Sequence, residues 1–201
     1  MKSVAAPPRT SPPHDELALR SSKPAVRHVR CPPGEGIADP RPGDVILIRG
    51  RGPLGTLIRL VQRVRLRRPE DRGFAYWSHA ALIISPPGYV IEVIHAGVIA
   101  RKLESYRWHD YHCVQLDLSE AQRHEVVRFA WSCLRQKYGT LSSILLGLSV
   151  LLGDRLWVPE RGQQGCGALI ARALERVGLK FERTPANTLP ADLAKRFGAR
   201  P

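Results

Sequence analysis

The chain has 201 residues, 43% of them hydrophobic and 24% charged, values of a globular protein with room for one properly cored domain. Basic residues number 31 against 18 acidic ones, a formal charge of +13, which points either to an anionic neighbour or to nothing beyond an arginine-rich composition. The four cysteines, Cys31, Cys113, Cys133 and Cys166, form no CxxC pair and no Cys/His cluster with zinc spacing, which argues against a disulfide scaffold or a structural metal and for a reducing compartment; no cofactor is expected.

Residues 1–40 are rich in proline, serine and charge, with Pro7-Pro8, Pro12-Pro13 and Pro32-Pro33. Such a segment buries too little apolar surface to offset the entropy of ordering, so a leader without stable structure is expected, followed by one domain over 41–201. Lys2 and Arg9 have no apolar core between them, so no signal peptide is read and a cytoplasmic location is expected. Arg41-Pro42-Gly43-Asp44 is a turn into a buried strand, Val45-Ile46-Leu47-Ile48. Leu54, Leu57, Ile58, Val61 and Val64 then recur at helical spacing opposite Arg59, Arg63 and Arg65, and Arg67-Arg68-Pro69 ends the helix. With Arg49 and Arg51 this is a basic stretch open to two readings. The preferred one is a core-facing helix with a solvated arginine face; the other is an interfacial helix drawn to an anionic membrane surface.

Ser78 to Ile84, the turn Ser85-Pro86-Pro87-Gly88 and Tyr89 to Ile94 predict a hairpin over 78–95. Gly97 to Ala100 continues the sheet, and Cys113 to Leu116 gives a further strand. Ser119-Glu120 opens a helix carrying Val126, Val127, Ala130, Trp131 and Leu134, and Tyr138-Gly139 breaks it. The run Leu141 to Leu152, with Ser142, Ser143, Gly147 and Ser149, is too short to span a bilayer. It is read as a buried helix or as a cleft wall facing an acyl chain. A loop over 154–164 leads to the helix opened by Cys166, and a short final helix follows Asn187. Strands and helices in this order predict an α+β fold with an antiparallel sheet packed against helices. No helix-turn-helix, zinc or aromatic-interleaved basic motif is present, so no nucleic-acid partner is expected; nothing bears on oligomeric state.

The helix Cys166-Gly167-Ala168-Leu169-Ile170-Ala171-Arg172-Ala173-Leu174 begins on a thiol after a polar, glycine-rich approach. A thiol at a helix N-terminus faces unpaired N–H groups and the positive end of the macrodipole, both of which favour thiolate, the nucleophilic form. Gly165 and Gly167 leave room for close approach to the sulfur.

A cysteine nucleophile needs an imidazole and a group to orient it. His14 and His28 lie in the expected leader, and His109, His112 and His124 in polar segments expected to be exposed. His79 differs, because it opens a strongly apolar strand. On the returning strand Glu92 sits within Val-Ile-Glu-Val-Ile, where burial is costly unless the carboxylate is paired. A one-residue change of register decides whether Glu92 shares a face with His79, and His95, on the opposite parity, is the competing orienter.

Pro42-Gly43-Asp44-Val45-Ile46-Leu47, Trp77-Ser78-His79-Ala80-Ala81-Leu82, Val90-Ile91-Glu92-Val93, Tyr138-Gly139 and the Cys166 helix together resemble the YiiX-like group, the circularly permuted branch of the NlpC-type papain-like cysteine peptidases, related to the lecithin:retinol acyltransferase family. The resemblance covers about residues 41–198. It implies a permuted papain-like fold, with the histidine strand before the cysteine helix. It also implies Cys166 as nucleophile, His79 as base and Glu92 as the third polar group. The implied activity is hydrolysis or acyl transfer at an amide, peptide or acyl-ester bond, on a peptide or lipid-like substrate. The family commonly has Cys-Ser-Glu-Leu-Val where this chain has Cys-Gly-Ala-Leu-Ile, which bears on substrate contacts and keeps open a catalytically silent relative that binds a ligand or a membrane surface.

Overall fold

The computed structural model describes residues 25–86, 88–94, 96–136 and 165–201. Six strands, β1 (Val26–Cys31), β2 (Val45–Ile48), β3 (His79–Ser85), β4 (Tyr89–Ile94), β5 (Gly97–Lys102) and β6 (Tyr111–Leu116), form an open sheet in the order β1-β6-β2-β3-β4-β5. Every neighbouring pair is antiparallel. Among the described residues four α-helices complete an α+β architecture: α1 (Gly52–Arg65), α2 (Glu120–Ser132), α3 (Cys166–Glu175) and α4 (Pro190–Phe197).

Strand alternation divides the core in two. Ala80, Leu82 and Ile84 of β3 turn to the helices, meeting Leu169, Ile170, Ala173 and Leu174 of α3, Val126 and Ala130 of α2, and Leu193, Ala194 and Phe197 of α4. Ala81 and Ile83 turn the other way and join Ile46, Ile48, Val90, Tyr111 and Cys113 under Leu103 and Tyr106. All four residues of β2 are therefore buried, which is why that strand reads as one apolar run. Its entrance is fixed by Gly43, whose φ of +91° suits glycine, and by Asp44, which is completely buried. Asp44 Oδ1 accepts the Leu116 N–H and an Arg123 N–H, each at 3.1 Å, and Arg123 also donates to the Pro42 and Leu116 carbonyls at 2.6 Å. Ser119 caps α2 in a reciprocal capping box with Gln122 and so aims Arg123 inward.

Two expectations are corrected. The expectation of a leader without stable structure over 1–40 fails at its C-terminal end: Val26–Cys31 pairs along the whole of β6 as the edge strand β1. Proline richness averaged over forty residues hid a proline-free stretch from Ala25 to Cys31, whose Val26 and Val29 half-bury and whose Cys31 buries fully. Arg27 and Arg30 on this edge discourage further strand pairing. Second, α1 does not turn its leucines to the core. Its buried residues are Gly55, Val61 and Gln62, while Leu54, Leu57, Leu60 and Val64 are exposed. The helix docks through Gln62, which donates to the Trp77 carbonyl at 2.8 Å and accepts the Ala191 N–H at 2.9 Å. Gly55 adds a close approach: a Cβ there would lie 2.6 Å from the Gly50 carbonyl oxygen. The break at Tyr138-Gly139, the Leu141–Leu152 run, the 154–164 loop and His95 lie outside the described residues. Among the described residues no helix is long and apolar enough to cross a membrane.

β1 also brings His28 to His112, Nδ1 to Nε2 at 2.9 Å, and His112 is buried rather than exposed. Burial, with the charges of His28 and Arg30, lowers the His112 pKa to about 4. The folded protein thus binds this proton less readily than the unfolded chain does. Its contribution to stability is complete above the ordinary histidine range and is lost as pH falls from about 6.5 toward 4. Chemical denaturation should show a loss on the order of 3 kcal/mol across that window, and His112→Gln should remove that part of the slope.

Candidate active site

Trp77 and Ser78 fix the start of β3. The Trp77 indole N–H donates to the Ala199 carbonyl at 2.8 Å, and the Ser78 hydroxyl accepts the Gly50 N–H at 2.9 Å. His79 follows, opposite Ile48 of β2, its side chain 22% exposed. Its Nε2 lies 2.6 Å from Glu92 Oε2.

The shared face of His79 and Glu92 comes from one extra residue. Ser85 pairs with Tyr89, but Ile83 pairs with Val90, so the ladder shifts at Ile84 and Glu92 falls opposite Ala81. Continued without that shift, the Ser85–Tyr89 register would set Glu92 opposite Leu82, on the helix side of the sheet. The bulge turns the carboxylate to the histidine.

Glu92 is 2% exposed and holds three partners. Besides His79, Oε2 accepts the Tyr106 hydroxyl, and Arg101 Nε lies 3.0 Å from Oε1. Burial would raise the Glu92 pKa, but His79 above all, then Tyr106 and Arg101, outweigh it and hold the group lowered and ionised. Tyr106 is pushed up by burial and by Glu92, so it stays a neutral donor. Tyr106 and Arg101 were not found by sequence reasoning. A carboxylate inside an apolar strand demanded partners, and Arg101 lies on the Glu92 side of the β4–β5 ladder, two pairs along from it and opposite Val90.

From the other end of the chain, Cys166 enters as the first residue of α3, half-buried, after the extended Gly165. Its sulfur lies in hydrogen-bonding reach of the His79 ring and of the Ala80 and Gly167 N–H groups. With Nε2 on Glu92, the nitrogen left for the sulfur is Nδ1. Burial would raise the thiol pKa; the charge and hydrogen bond of His79, then the two N–H groups, overcome it and lower the value. Burial alone would lower the His79 pKa, but the Cys166 thiolate and Glu92 raise it to about 10. The sequence-predicted residues Cys166, His79 and Glu92 are thus brought together, with shifts in the direction that favours thiolate, imidazolium and carboxylate. The competing orienter His95 lies outside the described residues.

The two glycines beside the sulfur differ. A Cβ at Gly165 would meet nothing within 4 Å among the described residues. At Gly167 it would lie 2.4 Å from the Thr188 carbonyl oxygen, so this glycine lets α3 press against the Thr188–Leu189 backbone rather than admitting substrate. Among the described residues no cluster of three His, Cys, Asp or Glu forms a metal site.

Glu92→Gln keeps a hydrogen-bonding group beside the ring but removes the charge. The His79 pKa should fall and the Cys166 pKa rise, slowing thiol chemistry near neutral pH by on the order of tenfold for each unit of thiol shift. Tyr106→Phe, which leaves the carboxylate, should cost less. The pH dependence of alkylation measures both. No protein-family model and no curated protein matches the chain.

Proposed function

We infer that the protein is a thiol-dependent hydrolase or acyltransferase with a circularly permuted papain-like fold, of the YiiX-like kind, acting on an amide, peptide or acyl-ester bond. The observation that carries this reading is the His79 ring, held at Nε2 by a buried Glu92 that two hydrogen bonds and one ion pair engage, and close enough to the Cys166 sulfur to interact with it. A packed core needs no such arrangement: the ionised pair carries desolvation costs that an apolar contact would avoid. The chain order, imidazole before thiol, is the order expected of a permuted enzyme.

In this mechanism the Cys166 thiolate attacks the substrate carbonyl carbon, forming a C–S bond while the carbonyl π electrons move to oxygen. The Cys166 N–H, a first-turn donor with no intrahelical acceptor, faces the developing oxyanion. Collapse of the tetrahedral intermediate breaks the bond to the leaving nitrogen or oxygen, which takes the proton of His79. The now neutral His79 removes a proton from water, an amine or an alcohol, which attacks the acyl-enzyme and releases the thiolate. Glu92 holds the ring and stabilises its charged form.

The test is incubation of the full chain with an activated acyl ester, followed by mass spectrometry of the intact protein and its peptides. One acyl group should appear on Cys166 and turn over. Cys166→Ser should abolish labelling and His79→Ala should slow it at least a hundredfold near neutral pH. Labelling spread over other residues, or unchanged in His79→Ala, refutes the reading.

A further inference from the structure

We propose that the outer face of α1 is a docking surface for a bilayer of anionic lipid. Of the seven large hydrophobic side chains exposed among the described residues, four lie on this one helix: Leu54, Leu57, Leu60 and Val64, at 58, 44, 55 and 56% exposure. At ~100° per residue they fall within an arc of ~120°, a stripe and not a scatter. Isolated exposed leucines need no explanation, but a contiguous stripe on an amphipathic helix marks a contact surface.

Charge identifies the occupant. Arg63 borders the stripe, and Arg67 and Arg68 follow it; all three are exposed, and among the described residues none has an acidic partner. Leucines at the acyl boundary with arginines at phosphate depth is the arrangement an anionic interface selects. A second copy of the chain docked stripe to stripe would bring like arginines together. The chain's own remaining segments offer no net counter-charge: 1–24 carry four basic residues against two acidic ones, and 137–164 carry three against two. Arg59 and Arg65 are already committed, to the Gly50 and Asn187 carbonyls at 2.8 and 2.6 Å, and anchor the inner side of the helix. Arg51, just before α1, donates to the Trp108 carbonyl, and Trp108 is itself exposed, so the helix start adjoins the loop that also carries Tyr106.

The proposal does not depend on the chemistry of Cys166, so wild-type and Cys166→Ser protein should bind alike. The full chain is mixed with phosphatidylcholine vesicles, with and without about one-third phosphatidylserine, and bound protein is measured by sedimentation at near-physiological salt. Binding should be at least tenfold stronger to the anionic vesicles. It should weaken at least fivefold in Leu57→Ser/Leu60→Ser and, separately, in Arg63→Glu/Arg67→Glu/Arg68→Glu. Weaker discrimination, or a smaller loss in either variant, overturns the proposal, as does a dimer in sedimentation equilibrium that the leucine substitutions dissolve. Should the leucine variant fail to fold, the charge variant, which spares the stripe, decides alone by the same threshold.

Discussion

Iodoacetamide should modify one cysteine of the native protein, Cys166, at a rate already near its plateau well below pH 8.5, the ordinary midpoint of a free thiol at about that pH. The other three cysteines serve as internal controls. Cys31, Cys113 and Cys133 are buried, and burial raises each of their pKa values. Only Cys166 combines partial exposure with a lowered value. The plateau should be modest in height, because a thiolate of low pKa is intrinsically less nucleophilic. His79→Ala removes the counter-charge, and the rate near pH 6 should drop on the order of a hundredfold, the midpoint moving up toward or past the free-thiol value. A single wild-type transition centred near pH 8.5 would sink the ion-pair assignment.

The same pair governs stability at alkaline pH. His79 has a raised folded pKa, so its contribution is complete below about 6.5 and is lost as pH rises through about 10. Cys166 has a lowered one, so its contribution is complete above the free-thiol range and is lost as pH falls through the folded value. The ionised pair is populated between those two folded values.

Arg123→Met should be the most damaging of the structural substitutions, costing about 3–5 kcal/mol of unfolding free energy by denaturant titration. Methionine fills much of the stem volume but leaves Asp44 completely buried, with only N–H groups to face it. Burial already raises the Asp44 pKa despite Arg123, and without the guanidinium it must rise further. A raised carboxyl binds its proton more readily in the folded state, so the deficit of the variant relative to wild type should shrink as pH falls. Asp44→Asn in the Arg123→Met background should recover part of the loss. A loss below about 1 kcal/mol, the range of exposed ion pairs, would show that the network is ornamental.

Much of the architecture was legible in the residues. β2, the β3–β4 hairpin, the capped start of α2 and the cysteine at the head of α3 are local patterns, set by alternation, turn residues and capping chemistry. The pairing of His79 with Glu92 was left open for a specific reason. Parity along the hairpin turns on a single inserted residue at Ile84, and an apolar strand gives no sign of where its bulge will fall. Tyr106 and Arg101 were missed because they reach Glu92 from the turn after β5 and from β5 itself, segments with no chemical signature of their own. The leucines of α1 misled because periodicity shows that a helix has two faces, not which one is buried. Gln62, whose amide is satisfied on both sides by Trp77 and Ala191, decided that question. β1 was overlooked because composition was averaged across it.

The separation of the reactive groups along the polypeptide has a further consequence. Histidine and carboxylate belong to one hairpin, 13 residues apart, whereas the sulfur arrives on a helix made far later. On a translating ribosome the acid–base half can assemble while the cysteine has yet to emerge. Under the proposed function, a newly made or partly unfolded chain would carry an ordinary thiol, and the activated form would require α3 to be seated against β3.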